Sequence, residues 1–163
     1  MAETISLRLV ANGSDIEGDH TLTSLGREDT IEVLAMEQQL SKAFDRATLR
    51  ATGRRIYAPI RFTKRLDRST PLLRQALVNN AVVSGSFRWF RPHPDGDGTT
   101  QQFFTLEFAQ GSITKCTLRL PDTLLDDSAS LPPMEEIELV FGEITWRWTD
   151  GGIEFEDTVS RSV

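Results

Sequence analysis

A single cysteine, Cys116, stands among 163 residues. That excludes an internal disulfide framework and a cysteine-built zinc site, and it suits a reducing compartment. Histidine is almost as scarce. His20 and His93 leave little room for a nucleophile–base–acid triad, and no nucleophile elbow or phosphate-binding loop is present. No run approaches the roughly 18 consecutive apolar residues of a membrane-spanning helix, so no membrane insertion is expected. Residues 1–10 lack a basic stretch followed by an apolar one, and the expectation is a cytoplasmic product without a signal peptide. Lysine is rare too: fifteen of the 18 bases are arginine, the better residue for bidentate ion pairs at interfaces. Apolar residues make up 39%, below the usual 45–50% or so, yet nine Phe and three Trp are enough to fill a core. Disorder is thereby excluded for most of the length, and residues 1–163 read as one domain.

The formal charge of −6 is unevenly spread. Residues 1–41 carry eight acids and two bases. Residues 42–74 carry ten bases against Asp45 and Asp67, a net of +8. Residues 120–157 carry eleven acids against Arg147, a net of −10. Three readings are open: a nucleic-acid face, blocks that interleave and neutralise one another within the fold, or unlike surfaces that meet between copies of the chain.

Alternation with period two dominates. Ile5, Leu7 and Leu9 oppose Ser6 and Arg8; Ile31, Val33 and Ala35 repeat the pattern and run on towards Leu40. Between them, residues 11–29 read as a long polar loop, of a length that marks functional or mobile segments. Ile56, Ala58, Ile60 and Phe62 share one face of a further strand, in which Pro59 signals an edge, a bulge or an end of pairing. One helix is expected, at about 71–79: Ser69 or Thr70 caps it, Pro71 fits its first turn, and Leu72, Leu73, Ala76 and Leu77 form its stripe. Val82 to Trp89, Phe104 to Phe108 and Ile113 to Leu120 read as a meander, with turns at residues 94–98 and at Gly111. The last long strand changes parity at Gly142-Glu143, as a β-bulge does. The result is a mainly antiparallel β domain with a single short helix.

Candidate chemistry is thin. His20 near Asp15, Glu17 and Asp19 has no metal-ligand spacing. Asp95-Gly96-Asp97-Gly98 opens like a calcium loop, but Thr100 stands where the glycine belongs and Leu106 where the bidentate Glu belongs. Glu136 and Glu138 alternate with Ile137 and Leu139, so they are read as solvated or interface charge, not as a glycosidase pair. Cys116 shares parity with Leu118 and Leu120 and is read as a buried, inert thiol. Phe62 falls on the core face and not on a base-stacking surface, and the acidic blocks repel phosphate. Neither an enzyme, nor a cofactor or metal site, nor a nucleic-acid partner is expected.

Several segments, in order, resemble the haemolysin-coregulated proteins, the inner-tube subunits of bacterial type VI secretion systems. The most specific runs from Phe62 through Lys64-Arg65-Leu66-Asp67-Arg68-Ser69-Thr70-Pro71 to Leu73. It is joined by Gly26 to Leu34, Thr52-Gly53-Arg54-Arg55, Phe87 to Arg91, Phe103 to Leu106, and Glu135 to Leu139 followed by Ile144-Thr145-Trp146. One departure is Asp157-Thr158-Val159, where the family commonly has an aromatic residue.

The resemblance implies an antiparallel β-barrel of two packed sheets, hexameric rings of it, and rings stacked into a hollow tube. The implied partners are other copies of the chain, the sheath, baseplate and spike proteins, and effectors that the lumen carries or chaperones. Export without a signal peptide follows from the same likeness. Tube proteins of related phage-tail-like injection systems are an alternative within that mechanism, and a monomeric or dimeric nucleic-acid or carbohydrate binder is one of another class. Ring-interface candidates are Arg54, Arg55, Arg61 and Arg65 on the basic block with Glu135, Glu136 and Glu138 on the acidic one. Asp15, Glu17 and Asp19 are candidates for ring stacking, on a loop expected to project and to be mobile until rings stack.

Overall fold

The computed structural model describes residues 3–159. The first strand, β1 (Thr4–Ala11), turns at Asn12-Gly13, both with positive φ, into β2 (Ser14–Ile16). Asn-Gly is the pair that suits a two-residue hairpin, so the segment read as loop from residue 11 begins as a hairpin. After a 3-10 turn at Ser24–Gly26 come β3 (Ile31–Glu37), β4 (Leu40–Asp45), β5 (Arg50–Tyr57) and β6 (Ile60–Arg65). The helix α1 spans Ser69–Val78, and β7 (Val83–Pro92), β8 (Thr100–Arg119), β9 (Met134–Val140), β10 (Glu143–Trp148) and β11 (Ile153–Thr158) complete the chain.

Pairing runs β7–β1–β3–β6–β9–β8 and returns from β8 to β7, so the strands close on themselves in a barrel. Beyond β8 the sheet continues through β10 to β11, whose outer edge carries no strand among the described residues. The closure depends on β8. Its first half pairs with β7 and β10, its second with β9, and it bends between them at Gln110, with φ +52°, and Gly111. A Cβ on Gly111 would lie 2.8 Å from the Val140 carbonyl and 3.0 Å from that of Val83, so only glycine lets three strands meet there. The sequence reading placed a turn at Gly111; the chain instead continues as one strand of 20 residues. The parity change at Gly142 is a break between β9 and β10, which lie end to end along β8.

The interior is filled by alternate residues of every barrel strand, among them Leu7, Leu9, Ile60, Phe62, Phe87, Ile137 and Leu139, all nearly inaccessible. Phe62 meets Phe87 edge-on at 5.5 Å, a favoured aromatic geometry. α1 starts where the Asp67 carboxylate accepts the Ser69 N–H at 2.9 Å, while Thr70 Oγ1 accepts the Asp67 N–H at 3.2 Å. The cap is thus Asp67 and not Ser69 or Thr70. Leu73 and Ala76 are buried and Leu77 is half-buried, but Leu72 is exposed and leaves the stripe.

Two strands depart from the sequence reading. The run from Ile31 to Leu40 breaks after Glu37, and the run from Ile56 to Phe62 breaks at Ala58-Pro59. Pro59 therefore marks an end of pairing, and Ile56, expected in the core beside Phe62, is exposed. β4 and β5 pair only with each other. They form a hairpin outside the barrel.

Candidate functional site

The hairpin's turn is locally determined. Asp45 Oδ1 accepts the N–H groups of Ala47 and Thr48 at 2.7 and 3.2 Å, and its carbonyl accepts that of Leu49, which has φ +55°. Such side-chain-to-backbone bonds are how Asp builds turns. The root is held by aromatic contacts. Tyr57 stacks on Trp146 at 6.3 Å and meets Phe141 edge-on at 5.4 Å, and Trp146 stacks in turn on Phe155. The Trp146 indole N–H donates to Gln38 Oε1 at 3.3 Å, on the other leg of the root. Burial, and then hydrogen bonding to Asp157, pushes the Tyr57 phenol up to about 12.

Above that root the hairpin pairs with no other strand among the described residues, and Arg55 alone reaches across, to Asp157 and Thr158 at the end of β11. Leu40, Phe44, Leu49 and Ile56 are exposed, Leu49 by 79% and Phe44 by 60%. An isolated two-stranded ribbon is at best marginally stable in water, so an arm carrying exposed apolar residues suits a partner surface. This arm is the feature the sequence reading missed. The available signal was Asp45 ahead of a short polar stretch, with Pro59 after the second leg.

The charge blocks largely meet within the subunit. Register places Arg61 opposite Glu138 and Lys64 opposite Glu135 across β6 and β9, with ion pairs at 2.9 and 2.6 Å. Arg65 pairs with Glu32 at 2.7 Å, and Arg55 reaches Asp157 with two hydrogen bonds at 2.6 and 2.9 Å. Glu135 is a correction. It is 1% exposed and binds Lys64, Thr70 and Arg74, so it joins α1 to the barrel and is not available to a neighbouring subunit. Its parity with Ile137 and Leu139 already pointed inward. Among the described residues, Arg54 and Glu136 are the two candidates without an ion pair.

The stacking candidates are also placed differently. Arg68, at the start of α1, reaches Glu17 at 3.5 Å, Asp19 at 3.2 Å and Asp29 at 2.5 Å. Gly18 lies so close to Thr30 that a Cβ would sit 2.8 Å from its carbonyl oxygen, and Ile16 and His20 are buried. The loop expected to project is folded down on the barrel; of its three acids, Asp15 alone has no ion pair among the described residues. The Asp67 carboxyl beside it is pushed up by burial, but hydrogen bonds from Ser69 and Lys64 outweigh this and leave it below the ordinary range.

Cys116 is half-buried, and burial raises its thiol pKa, which keeps it protonated. Leu118 and Leu120, expected to share its buried face, are exposed at and just past the end of β8. Among the described residues no group of three His, Cys, Asp or Glu could hold a metal ion, and no helix is long and apolar enough to cross a membrane.

Known proteins are similar to this chain in sequence and fold. The family described as "Type VI secretion system effector, Hcp" matches residues 9–148. The "Major exported protein" of Pseudomonas aeruginosa PAO1 is 23% identical over 133 residues, covering 81% of this chain and 76% of its own length. A mutant Hcp1 from E. coli EAEC 042 has a TM-score of 0.82 at 30% identity, with 96% of this chain and 99% of that one aligned. The secreted protein Hcp3 of Pseudomonas aeruginosa has the same fold, with a TM-score of 0.75 at 16% identity, covering 98% of this chain and all of its own. With a family match over most of its length and a similar fold at 30% identity, the chain belongs to the Hcp family of type VI secretion proteins.

Proposed function

We propose that this chain is a structural subunit of the type VI inner tube, forming hexameric rings that stack into a hollow conduit. The observation that carries the reading is the β4–β5 hairpin, rooted on Tyr57 and Trp146 and exposing Leu40, Phe44, Leu49 and Ile56. An arm and the surface that receives it are different parts of the molecule, so their contact is heterologous, and a heterologous contact that closes by rotation makes a ring. Sheath, baseplate and spike proteins would surround and end the tube, and effectors would travel in its lumen. Export through that apparatus accords with the name of the Pseudomonas aeruginosa relative.

Mass photometry of the purified chain tests this. The expected particle has six times the 18.3 kDa subunit mass, and Phe44→Asp is expected to leave single, folded subunits. Wild-type chain that stays at one subunit mass at tens of micromolar would overturn the reading.

A further inference from the structure

The cations of β6 and β10, Arg61, Lys64, Arg65 and Arg147, each find an acid nearby. Arg8, Arg27 and Arg88 do not: among the described residues no carboxylate lies at ion-pair distance from any of them. Their positions follow from register. β1 and β7 place Ser6 opposite Arg88 and Arg8 opposite Ser86, so the two guanidinium groups are diagonal neighbours on the face away from the core. Arg27 lies behind them, only 3% exposed, with its guanidinium 4.6 Å from the centre of the Phe90 ring. The Arg88 guanidinium is 5.8 Å from the same ring.

The hydrogen bonds these groups make go to neutral partners. Arg27 donates to the Ser24 carbonyl, the Ser24 hydroxyl and the Thr4 hydroxyl. Arg88 donates Nη2 to the Gly26 carbonyl at 2.8 Å, and its Nε is buried without an acceptor. The nearby His20 is 7% exposed, and its Nε2 is likewise buried and unpartnered. Burial lowers the proton affinity of both Arg27 and Arg88, and the charges of Arg8 and Arg27 lower that of Arg88 further. Like charges at neighbouring positions weaken a sheet, and a buried cation without a counter-ion is costly. The separate subunit keeps the three together uncompensated.

We infer that Arg8 and Arg88, backed by Arg27, form a binding site for a carboxylate supplied by a second copy of this chain. A guanidinium fork matches a carboxylate with two parallel hydrogen bonds, and Arg8 is exposed while Arg88 is within reach of the surface. Charge favours the chain itself as donor. It carries −6 overall, and Asp122, Asp126, Asp127, Glu136 and Glu156 have no ion pair among the described residues. An open groove of about 500 Å³ begins at Arg8 and runs over Ser84 and Ser86, past the paired Glu107 and Arg147, to Glu143 and Glu156, so an approaching copy meets the unpaired Arg8 at one end and unpaired acids at the other. Such a surface is complementary to another like it.

The inference rests on the self-assembly proposed above, and Arg8→Glu tests it in the full chain. Because Arg8 is exposed, the variant folds, and its new carboxylate pairs with Arg88 inside the subunit. Two readouts are expected to move in opposite directions: the melting temperature of the dilute, dissociated subunit rises by a few degrees, and the concentration for half-assembly in mass photometry rises tenfold or more. Arg8→Gln should fall between variant and wild type in both. Arg8→Glu that assembles like wild type overturns the inference while leaving the tube reading intact. So does a saturable rise in subunit melting temperature with inorganic phosphate, absent in Arg8→Glu, if assembly is unchanged, since the site then serves a free ion. A wild-type chain that never assembles overturns both readings.

Discussion

The Tyr57 hydroxyl donates a hydrogen bond of 2.5 Å to Asp157 Oδ2, and that same oxygen accepts one from Arg55 Nε at 2.6 Å. Two residues of the hairpin's second leg are thus tied to the end of β11, a hundred residues on in sequence. The aromatic stack of Tyr57, Trp146 and Phe155 runs beside these bonds, so the arm leaves the barrel in a set direction. Fixing that direction within the subunit lowers the ordering cost of seating the arm on a partner.

Tyr57 yields a pH-dependent prediction. Its phenol is raised to about 12 in the fold against about 10 in the unfolded chain, so the folded state holds the proton more tightly. The corresponding stability is fully present below pH 10 and is lost as pH rises from about 10 to about 12. Tyr57→Phe keeps the ring but removes the hydroxyl. It is expected to cost about 1 kcal/mol at neutral pH and to flatten this alkaline loss. Urea unfolding at pH 7 and pH 11 checks both, and hydrogen exchange should rise across residues 40–57 in the variant.

Glu135 should act on the subunit and not on its assembly. It is buried with Lys64 on one oxygen and Arg74 on the other, each at 2.6 Å. Glu135→Ala leaves the wholly buried Lys64 ammonium with Asp67, at 2.9 Å, as its one carboxylate, so the loss is expected at the lower end of the about 3–5 kcal/mol typical of a broken buried pair. Urea unfolding of the dissociated subunit should show that loss. A normal unfolding midpoint with failed assembly would place Glu135 at an interface after all.

Two adjacent leucines of α1 should respond differently. Leu73 is fully buried, and Leu73→Ala is expected to cost about 2–5 kcal/mol. Leu72 is 40% exposed, and Leu72→Ala should stay within about 1 kcal/mol. Paired thermal melts separate the two. Equal losses would mean that Leu72 packs on the barrel as well.

Gly111 should tolerate no side chain. The Cβ of Gly111→Ala would press on the Val140 and Val83 carbonyls, which belong to the backbone and have little room to shift. We expect a loss of about 1–3 kcal/mol, as for other overpacked interior sites. Gly152→Ala serves as a contrast: its Cβ would meet nothing, so any cost comes from its positive φ alone. Denaturant midpoints of the two variants test the difference.

The sequence by itself determined what depends on neighbours along the chain. Alternation of apolar and polar residues is a local property, and it set the inward faces of β1, β6, β7 and β9 and thus the core around Phe62 and Phe87. The helix after Asp67 was legible for the same reason, as were the stretches similar to the Hcp family. Tertiary structure alone decided which distant residues meet. The register of β6 against β9 placed Lys64 opposite Glu135 and turned two nominal surface charges into a buried pair. Arg68 clamped the acidic loop, so the projecting element became the hairpin and not the loop. Alternation specifies the side of a strand on which a residue lies, whereas pairing between strands far apart in sequence is chosen by packing of the whole barrel. A charged residue's partner depends on that choice, and so the charge blocks could be counted in the sequence but not assigned.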